Sequence, residues 1–123
     1  MSIKYRVISS KRGLLAGVKS IGYWNIEAQN EDEKGAQIDL LIEYDNNVYD
    51  IIECKYYNDE FVINKEYALN MINKINMFIK YGLRKKKYSI HTGMITTYGT
   101  KVNQYSQRVG ITQNISLLDL LGE

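Results

Sequence analysis

Hydrophobic and polar residues alternate most regularly in the middle of the chain. Apolar residues occupy every second position from Ile38 to Tyr44, and Asp39, Leu41 and Glu43 lie between them. This period of two predicts a β-strand with two unlike faces. Residues 45–47 (Asp-Asn-Asn) supply a turn, and residues 48–55 form a second predicted strand. Together they predict a β-hairpin.

The pattern changes to helical spacing after the hairpin. Asn64 is a good N-cap, and Gly82 is a good stop signal. Between them, apolar residues recur at intervals of three and four, which predicts an amphipathic helix. These residues are Ala68, Met71, Ile72, Ile75, Phe78 and Ile79.

The remaining segments complete an α/β pattern in one domain over residues 1–123. Residues 1–34 have the weakest pattern: a helix with apolar spacing from Ile3 to Val18, a strand at 22–27 and an acidic loop at 29–35. Further strands are predicted at 88–97 and 111–115, separated by a polar loop at 99–107. Ser116 is predicted to cap a final helical turn through Leu121.

The register of the hairpin decides which side chains face each other. If residues 45–47 form the loop, Tyr44 faces Val48, and Asp39 lies directly opposite Glu53. Side chains placed in this way have Cβ atoms about 4.5–5.5 Å apart. Lys55 projects from the same face. A two-residue loop would mix polar and apolar residues on both faces, so it is rejected. The opposite face is the predicted core side and carries Ile38, Leu40, Ile42, Tyr44, Val48, Asp50, Ile52 and Cys54.

Two facing carboxylates repel each other unless a cation or a proton lies between them. Magnesium prefers oxygen ligands and retains several waters, so the pair predicts a Mg²⁺ (or Mn²⁺) site at Asp39 and Glu53. Such an ion can polarise a phosphate oxygen and lower the pKa of a bound water. Lys55 would orient or deprotonate that water, or stabilise the charge of the transition state. Glu-x-Lys triplets also occur on solvated strand faces, where the charges pair with one another. Spacing alone leaves both interpretations open.

A family resemblance favours the catalytic interpretation. Gly35–Ile42 followed by Ile52–Tyr56 resembles the D...(D/E)-x-K signature of the PD-(D/E)XK nuclease superfamily, with Gln-Ile-Asp in place of Pro-Asp. More narrowly, the chain resembles the nuclease-like domain at the C-terminus of certain prokaryotic AAA+ ATPases. The similarity spans about residues 35–121 and continues through Phe61–Tyr67, Asn73–Ile75, Met94–Gly99, Asn103–Ser106 and Ser116–Leu120.

The resemblance implies a restriction-endonuclease-like three-layer fold, with a central mixed β-sheet flanked by helices. It implies Asp39 and Glu53 as metal ligands, the carbonyl of Cys54 as a third ligand and Lys55 as the catalytic lysine. Members of the superfamily often add an acidic residue from the first helix, whereas no Asp or Glu precedes Glu27 here. The ATPase module that usually precedes this domain is absent from the sequence, so we expect a stand-alone version, a fragment or a truncated gene product. The resemblance also names an AAA+ ATPase module as a candidate partner.

Several other residues are candidates for nucleic-acid contact. Gln37 shares the face of Asp39 and is placed to touch substrate or a metal-bound water. Lys65, Lys74 and the basic run that includes Arg84 and Lys85 are either a solvated face or contacts to a phosphate backbone. Tyr98 and Tyr105 flank a polar loop, where they either pack the loop or stack on bases. His91 is predicted to be a packed or surface histidine rather than a zinc ligand, and Cys54 a small core residue rather than a nucleophile.

Composition narrows the classes of function. The 123 residues carry a formal charge of +2, which is too small to predict a polyanionic partner without a particular placement of charge. One cysteine and the lack of a charged-then-apolar leader predict a cytoplasmic protein, and no apolar run predicts a membrane span.

We therefore expect a metal-dependent endonuclease that hydrolyses phosphodiester bonds, with DNA as the expected substrate. The alternatives are a catalytically inactive nuclease-fold module that binds DNA or protein and serves an AAA+ ATPase, and a homodimerisation domain.

Overall fold

The structure, a computed structural model, describes residues 17–118 and has an α/β architecture. Five strands and two α-helices follow one another along the chain. In order, they are β1 (Val18–Ile26), β2 (Ala36–Tyr44), β3 (Val48–Lys55), α1 (Lys65–Met77), β4 (Ser89–Thr96), α2 (Gln104–Val109) and β5 (Ile111–Ser116). No helix among these residues is long and apolar enough to cross a membrane.

The strands form one mixed sheet whose spatial order, β1-β2-β3-β4-β5, is the order of the chain. β1, β2 and β3 are antiparallel neighbours, whereas β4 is parallel to both β3 and β5. Parallel neighbours need a crossover connection, and α1 and α2 occupy the two crossovers. The predicted mixed sheet with helices is therefore confirmed.

Both helices pack on one face of the sheet. Residues from α1 and α2 join Met94 of β4 in one apolar cluster, and Phe78 joins Tyr49 and Ile51 of β3 in another. A third cluster, built on Ile52 and Ile95, lies on the opposite face. The described residues thus account for two of the three predicted layers. β3 is buried on both sides, as expected of a strand inside a sheet, so the face predicted as the core side is not its only buried face.

The hairpin has the predicted loop and register. Tyr44 pairs with Val48 and Leu40 pairs with Ile52, across a single 3-10 turn at Asp45–Asn47. Asn46 and Asn47 have φ angles of 65° and 60°, the left-handed conformation that asparagine tolerates better than most side chains. The turn residues therefore fix the register that aligns the acidic ends of β2 and β3.

β2 contains a bulge between Ile38 and Leu41, around the candidate site residue Asp39. Gly22 of β1 pairs with Leu41, but Trp24 pairs with Ile38, so β2 has one residue more than β1 over this stretch. Ile38 consequently packs with Leu41 under the helices, while Leu40 packs on the other face. The prediction that Ile38 and Leu40 share a face is wrong, because an extra residue reverses the alternation of side chains.

The helix of residues 65–77 has the predicted start and end. The side chain of Asn64 accepts a hydrogen bond of 2.8 Å from the amide of Tyr67. The helix continues as a π-helical turn, Phe78–Gly82, in which Leu83 N–H donates to the carbonyl of Phe78. A Cβ at Gly82 would collide with the ring of Phe78, so this close approach requires glycine.

Three other predictions differ from the structure or extend beyond it. The strand predicted at 22–27 is confirmed but begins at Val18, inside the helix predicted from Ile3, and the rest of that helix lies outside the described residues. The polar loop predicted at 99–107 is wrong in its second half, because Asn103 and Ser106 form a capping box that starts α2. Leu117 and Leu118 are helical, and the remainder of the predicted last turn lies outside the described residues.

Candidate functional site

The predicted acidic pair lies where β2 and β3 separate. The β2–β3 ladder ends with Leu40 opposite Ile52. Beyond this pair, side-chain carboxylates take the place of backbone carbonyls opposite the next amide groups. The carboxylate of Asp39 accepts a hydrogen bond of 3.1 Å from the amide of Cys54. The carboxylate of Glu53 lies 3.5 Å from the amide nitrogen of Asp39. This reciprocal arrangement brings Asp39 and Glu53 together through side chain-to-backbone contacts beyond the end of the ladder, and not as the directly opposite strand pair that the sequence predicts.

Glu53 is buried and has a cationic partner. Its side chain is 2% exposed, and Nζ of Lys74 on α1 lies 2.6 Å from Oε1. Burial raises the pKa of Glu53; the Lys74 ammonium opposes this shift, and the charge of Asp39 reinforces it. The repulsion between two carboxylates is therefore offset in part by a lysine that the hairpin geometry alone does not reveal.

The oxygen donors at this point suit a hard divalent cation. Asp39 is exposed at the point where β2 and β3 separate. Oε1 of Glu53 accepts from Lys74, and its other oxygen, Oε2, faces the amide of Asp39. The N–H of Cys54 points towards Asp39, and within a strand a residue's carbonyl points to the same side as its N–H. Residues 17–118 contain no group of three or more His, Cys, Asp or Glu side chains suited to a metal. Two carboxylates, one carbonyl and solvent remain, which is a donor set that fits Mg²⁺.

Lys55 and Tyr67 lie beside this acidic pair. Lys55 is exposed, and its Nζ lies 5.3 Å from the centroid of the Tyr67 ring. The Tyr67 hydroxyl is buried and has no hydrogen-bond partner among residues 17–118. Burial, followed by the charges of Glu53 and Asp39, raises the pKa of Tyr67. Sequence reasoning missed Tyr67, since its apolar neighbours mark it only as a helix residue.

A cleft of about 340 Å³ opens beside these residues, between α1 and the start of β2. Three lysines line it, Lys34, Lys55 and Lys74, and none of its described lining residues is acidic. Asn70 and Asn73 of α1 hold its far wall: Lys34 donates to the side chain of Asn70 at 3.0 Å, and Asn73 donates to the carbonyl of Lys34 at 3.3 Å. We call this the lysine cleft.

Only some of the predicted nucleic-acid contacts lie near the centre. Gln37 and Lys74 line the lysine cleft, and Lys65 is exposed at the first position of α1. Arg84 and Lys85 precede β4, whereas the acidic pair lies at the level of its C-terminal end. Eight residues of strand span about 23 Å, so the structure does not bring this basic run to the acidic pair.

Two residues weighed for other chemistry, Cys54 and His91, are both partly buried. Cys54 is half-buried against the apolar cluster around Ile52, as a core residue would be. Nδ1 of His91 lies 3.9 Å from the buried carboxylate of Asp50, and the His91 side chain is 38% exposed. His91 pairs with Asp50, three residues along β3 from Glu53.

Comparisons with known proteins add information about the fold alone. No family model matches the chain, and no curated protein matches it. The crystal structure of AF1548, a protein of unknown function, superposes with a TM-score of 0.52 at 15% sequence identity. The similarity covers 90% of this chain and 55% of AF1548, so this chain spans about half of that protein's length.

Proposed function

We propose that this domain is a metal-dependent nuclease of the PD-(D/E)XK type, with a restriction-endonuclease-like fold, which hydrolyses phosphodiester bonds in DNA. The observation that carries the proposal is the position of the acidic pair. Asp39 and Glu53 meet at the open end of a hairpin, directly beside a cleft lined by three lysines. The acidic pair that would bind the metal is therefore adjacent to the lysine cleft that would bind the phosphate.

Each component of the site has a role in this chemistry. Asp39, Glu53 and the carbonyl of Cys54 would hold Mg²⁺ or Mn²⁺, which supplies Lewis-acid activation and a bound water of lowered pKa. Lys55 is exposed on the cleft wall, where its ammonium can contact a non-bridging phosphate oxygen and the incoming water. Lys34 and Lys74 add positive charge on either side, which favours a polyanionic strand in the cleft.

A cleavage assay tests the proposal. Single-stranded, duplex and branched DNA are incubated with Mg²⁺ or Mn²⁺, and products are resolved by gel. We expect Asp39→Asn, Glu53→Gln and Lys55→Ala each to lower the rate by about a hundredfold or more. Glu31→Gln, an exposed carboxylate of the β1–β2 loop, and Lys101→Ala are matched controls that retain activity. Cleavage that is equal in the wild type and in all three site variants rejects the assignment.

One observation favours a second candidate, a catalytically inactive module that keeps the fold and binds DNA or an AAA+ ATPase partner. Lys74 already supplies a positive charge to the buried carboxylate of Glu53 at 2.6 Å, so the site has a counterion of its own. This candidate predicts no calorimetric heat on titration with Mn²⁺, together with measurable binding to DNA. The nuclease proposal predicts Mn²⁺ binding that Asp39→Asn abolishes.

A further inference from the structure

A second cleft of about 280 Å³ adjoins the lysine cleft. The two share Lys55, Tyr67 and Asn70, so they form one trough that crosses the ring of Tyr67. The second cleft is lined by Phe61 and Val62 together with one exposed acid, Glu66. The two ends of the trough therefore differ in character: one is cationic and rich in amides, and the other is aromatic.

A series of aromatic rings leads outward from the acidic pair along this trough. The rings of Tyr67 and Phe61 are 5.2 Å apart and meet edge to face, and Phe61 meets Tyr57 in the same way at 6.3 Å. Lys55 lies over the inner end of the series, 5.3 Å from Tyr67. Such edge contacts hold each ring at a fixed angle to the next.

Three exposed tyrosines, Tyr56, Tyr57 and Tyr98, follow the C-terminal ends of the neighbouring strands β3 and β4, and Tyr57 is the outer ring of the series. Their side chains are 67%, 54% and 51% exposed, respectively. The two loops that carry them are joined, since Tyr57 N–H donates to Oγ1 of Thr97 at 3.3 Å. Farther along, Phe61 N–H donates to the carbonyl of Gly99, and Lys101 N–H donates to the carbonyl of Phe61, both at 2.9 Å. We call Tyr56, Tyr57 and Tyr98 the tyrosine ledge.

We propose that the trough and the tyrosine ledge bind unpaired nucleotides of a nucleic-acid strand, with phosphates in the lysine cleft and bases against the tyrosines. The inference rests on the proposed function and names its substrate class as single-stranded. A tyrosine ring can stack on any base whose face is open, whereas in a duplex neighbouring base pairs cover those faces. Lys74 is paired with Glu53, and Lys34 donates to Asn70. Lys55, however, is exposed on the cleft wall, where its charge favours a polyanion over a purely apolar partner.

Binding is measured in EDTA, without cleavage, by fluorescence anisotropy of a labelled oligodeoxythymidine and of the same strand annealed to oligodeoxyadenosine. We expect the single strand to bind about tenfold more tightly than the duplex. Tyr56→Ala and Tyr98→Ala should each weaken single-strand binding about five- to tenfold, because stacking on one aromatic contributes on that scale. Tyr98→Trp should restore it, since only a ring face is required.

Tyr88→Ala is the matched control. Tyr88 is 40% exposed but precedes β4, so it lies about 23 Å from Tyr98 at the other end of that strand. We expect its effect to stay below about twofold. Melting curves identical to that of the wild type exclude misfolding of these surface variants.

The outcomes separate the two proposals. Equal affinity for single strand and duplex, or loss of affinity in Tyr88→Ala equal to that in Tyr98→Ala, overturns the single-strand assignment even if the protein cleaves DNA. Tyrosine-dependent binding in EDTA without any cleavage in Mn²⁺ supports the trough and rejects the nuclease. An absence of nucleic-acid binding in EDTA also overturns the inference and assigns the ledge to a protein partner.

Discussion

Lys74 and Glu53 form a close ion pair, 2.6 Å between Nζ and Oε1, across the interface between α1 and β3. The carboxylate is 2% exposed, and the lysine side chain is 23% exposed. Under the proposed function, a divalent cation would act on the same carboxylate as the lysine. The proposal therefore implies competition between Lys74 and the metal for one buried negative charge.

Removal of the lysine should expose the cost of that buried charge. We expect Lys74→Met to lower the free energy of unfolding by about 3 kcal/mol at neutral pH, because it leaves a buried carboxylate without its cation. Urea denaturation measured in EDTA tests this. Lys19→Met is the control, since Lys19 pairs with Glu43 at 3.7 Å and its side chain is 55% exposed. An equal loss in both variants would contradict the role given to Lys74.

Divalent metal should stabilise the Lys74→Met variant more than the wild type. A ligand that binds only the folded state adds about 2.7 kcal/mol when its concentration is a hundred times Kd. In the wild type, the Lys74 ammonium opposes part of this gain, because it already holds the Glu53 carboxylate. Melting temperatures with and without Mn²⁺ measure the difference, and Asp39→Asn in either background should remove the gain. A smaller Mn²⁺ shift in Lys74→Met than in the wild type argues against competition between the two cations.

Glu33, in the acidic loop between β1 and β2, should make a pH-dependent contribution to stability through its contacts with the π-helical turn after α1. Its carboxylate accepts hydrogen bonds from Lys80 and Tyr81, which lower its pKa from 4.5 to about 2. The unfolded chain takes up this proton more readily than the folded chain, so the contribution to stability is present above pH 4.5 and is lost as pH falls to about 2. NMR titration of the Glu33 carboxyl carbon measures the midpoint. Tyr81→Phe should move that midpoint upward, and an unchanged midpoint in this variant rejects the assignment.

Asn103 should contribute to stability in two separable ways. Its side chain caps α2 through the amides of Tyr105 and Ser106, and it also donates to the carbonyl of Ile63 at 3.1 Å. We expect Asn103→Ala to cost about 1–2 kcal/mol in thermal or urea denaturation. Asn103→Ser keeps an acceptor for the cap but loses the amide donor, so it should cost less. Equal losses in the two variants would assign the whole effect to the contact with Ile63.

The register of the hairpin could be predicted because it depends on local information. A three-residue turn and the alternation of side chains fix which residues face each other, and one slip would mix polar and apolar residues on both faces. Asn64 could be predicted as a helix start for the same reason: the cap and the first turn are neighbours in sequence. These local rules bring Asp39 and Glu53 to the same end of the hairpin, although the ladder stops one pair short of them.

The rest depends on contacts between distant segments. The bulge in β2 is defined against β1, some twenty residues away, and nothing in the alternation of Ile38 to Tyr44 signals it. Likewise, Lys74 has the spacing of a solvent-facing helix residue, and only the docking of α1 on the sheet brings it to Glu53. By contrast, the start of α2 was visible in the sequence, since Asn103 and Ser106 have the spacing of a capping box.

The agreement between strand order and chain order bears on how the domain reaches this state. Every strand is laid beside the strand that was synthesised before it, so the sheet can grow outward from the β2–β3 hairpin by one addition at a time. The hairpin closes over a three-residue turn, whereas β4 joins β3 only after the longer connection through α1. Because short loops close at lower entropic cost, the turn end of the hairpin should be among the first parts to assemble and β5 among the last, whereas the acidic pair at the open end gains Lys74 only when α1 docks.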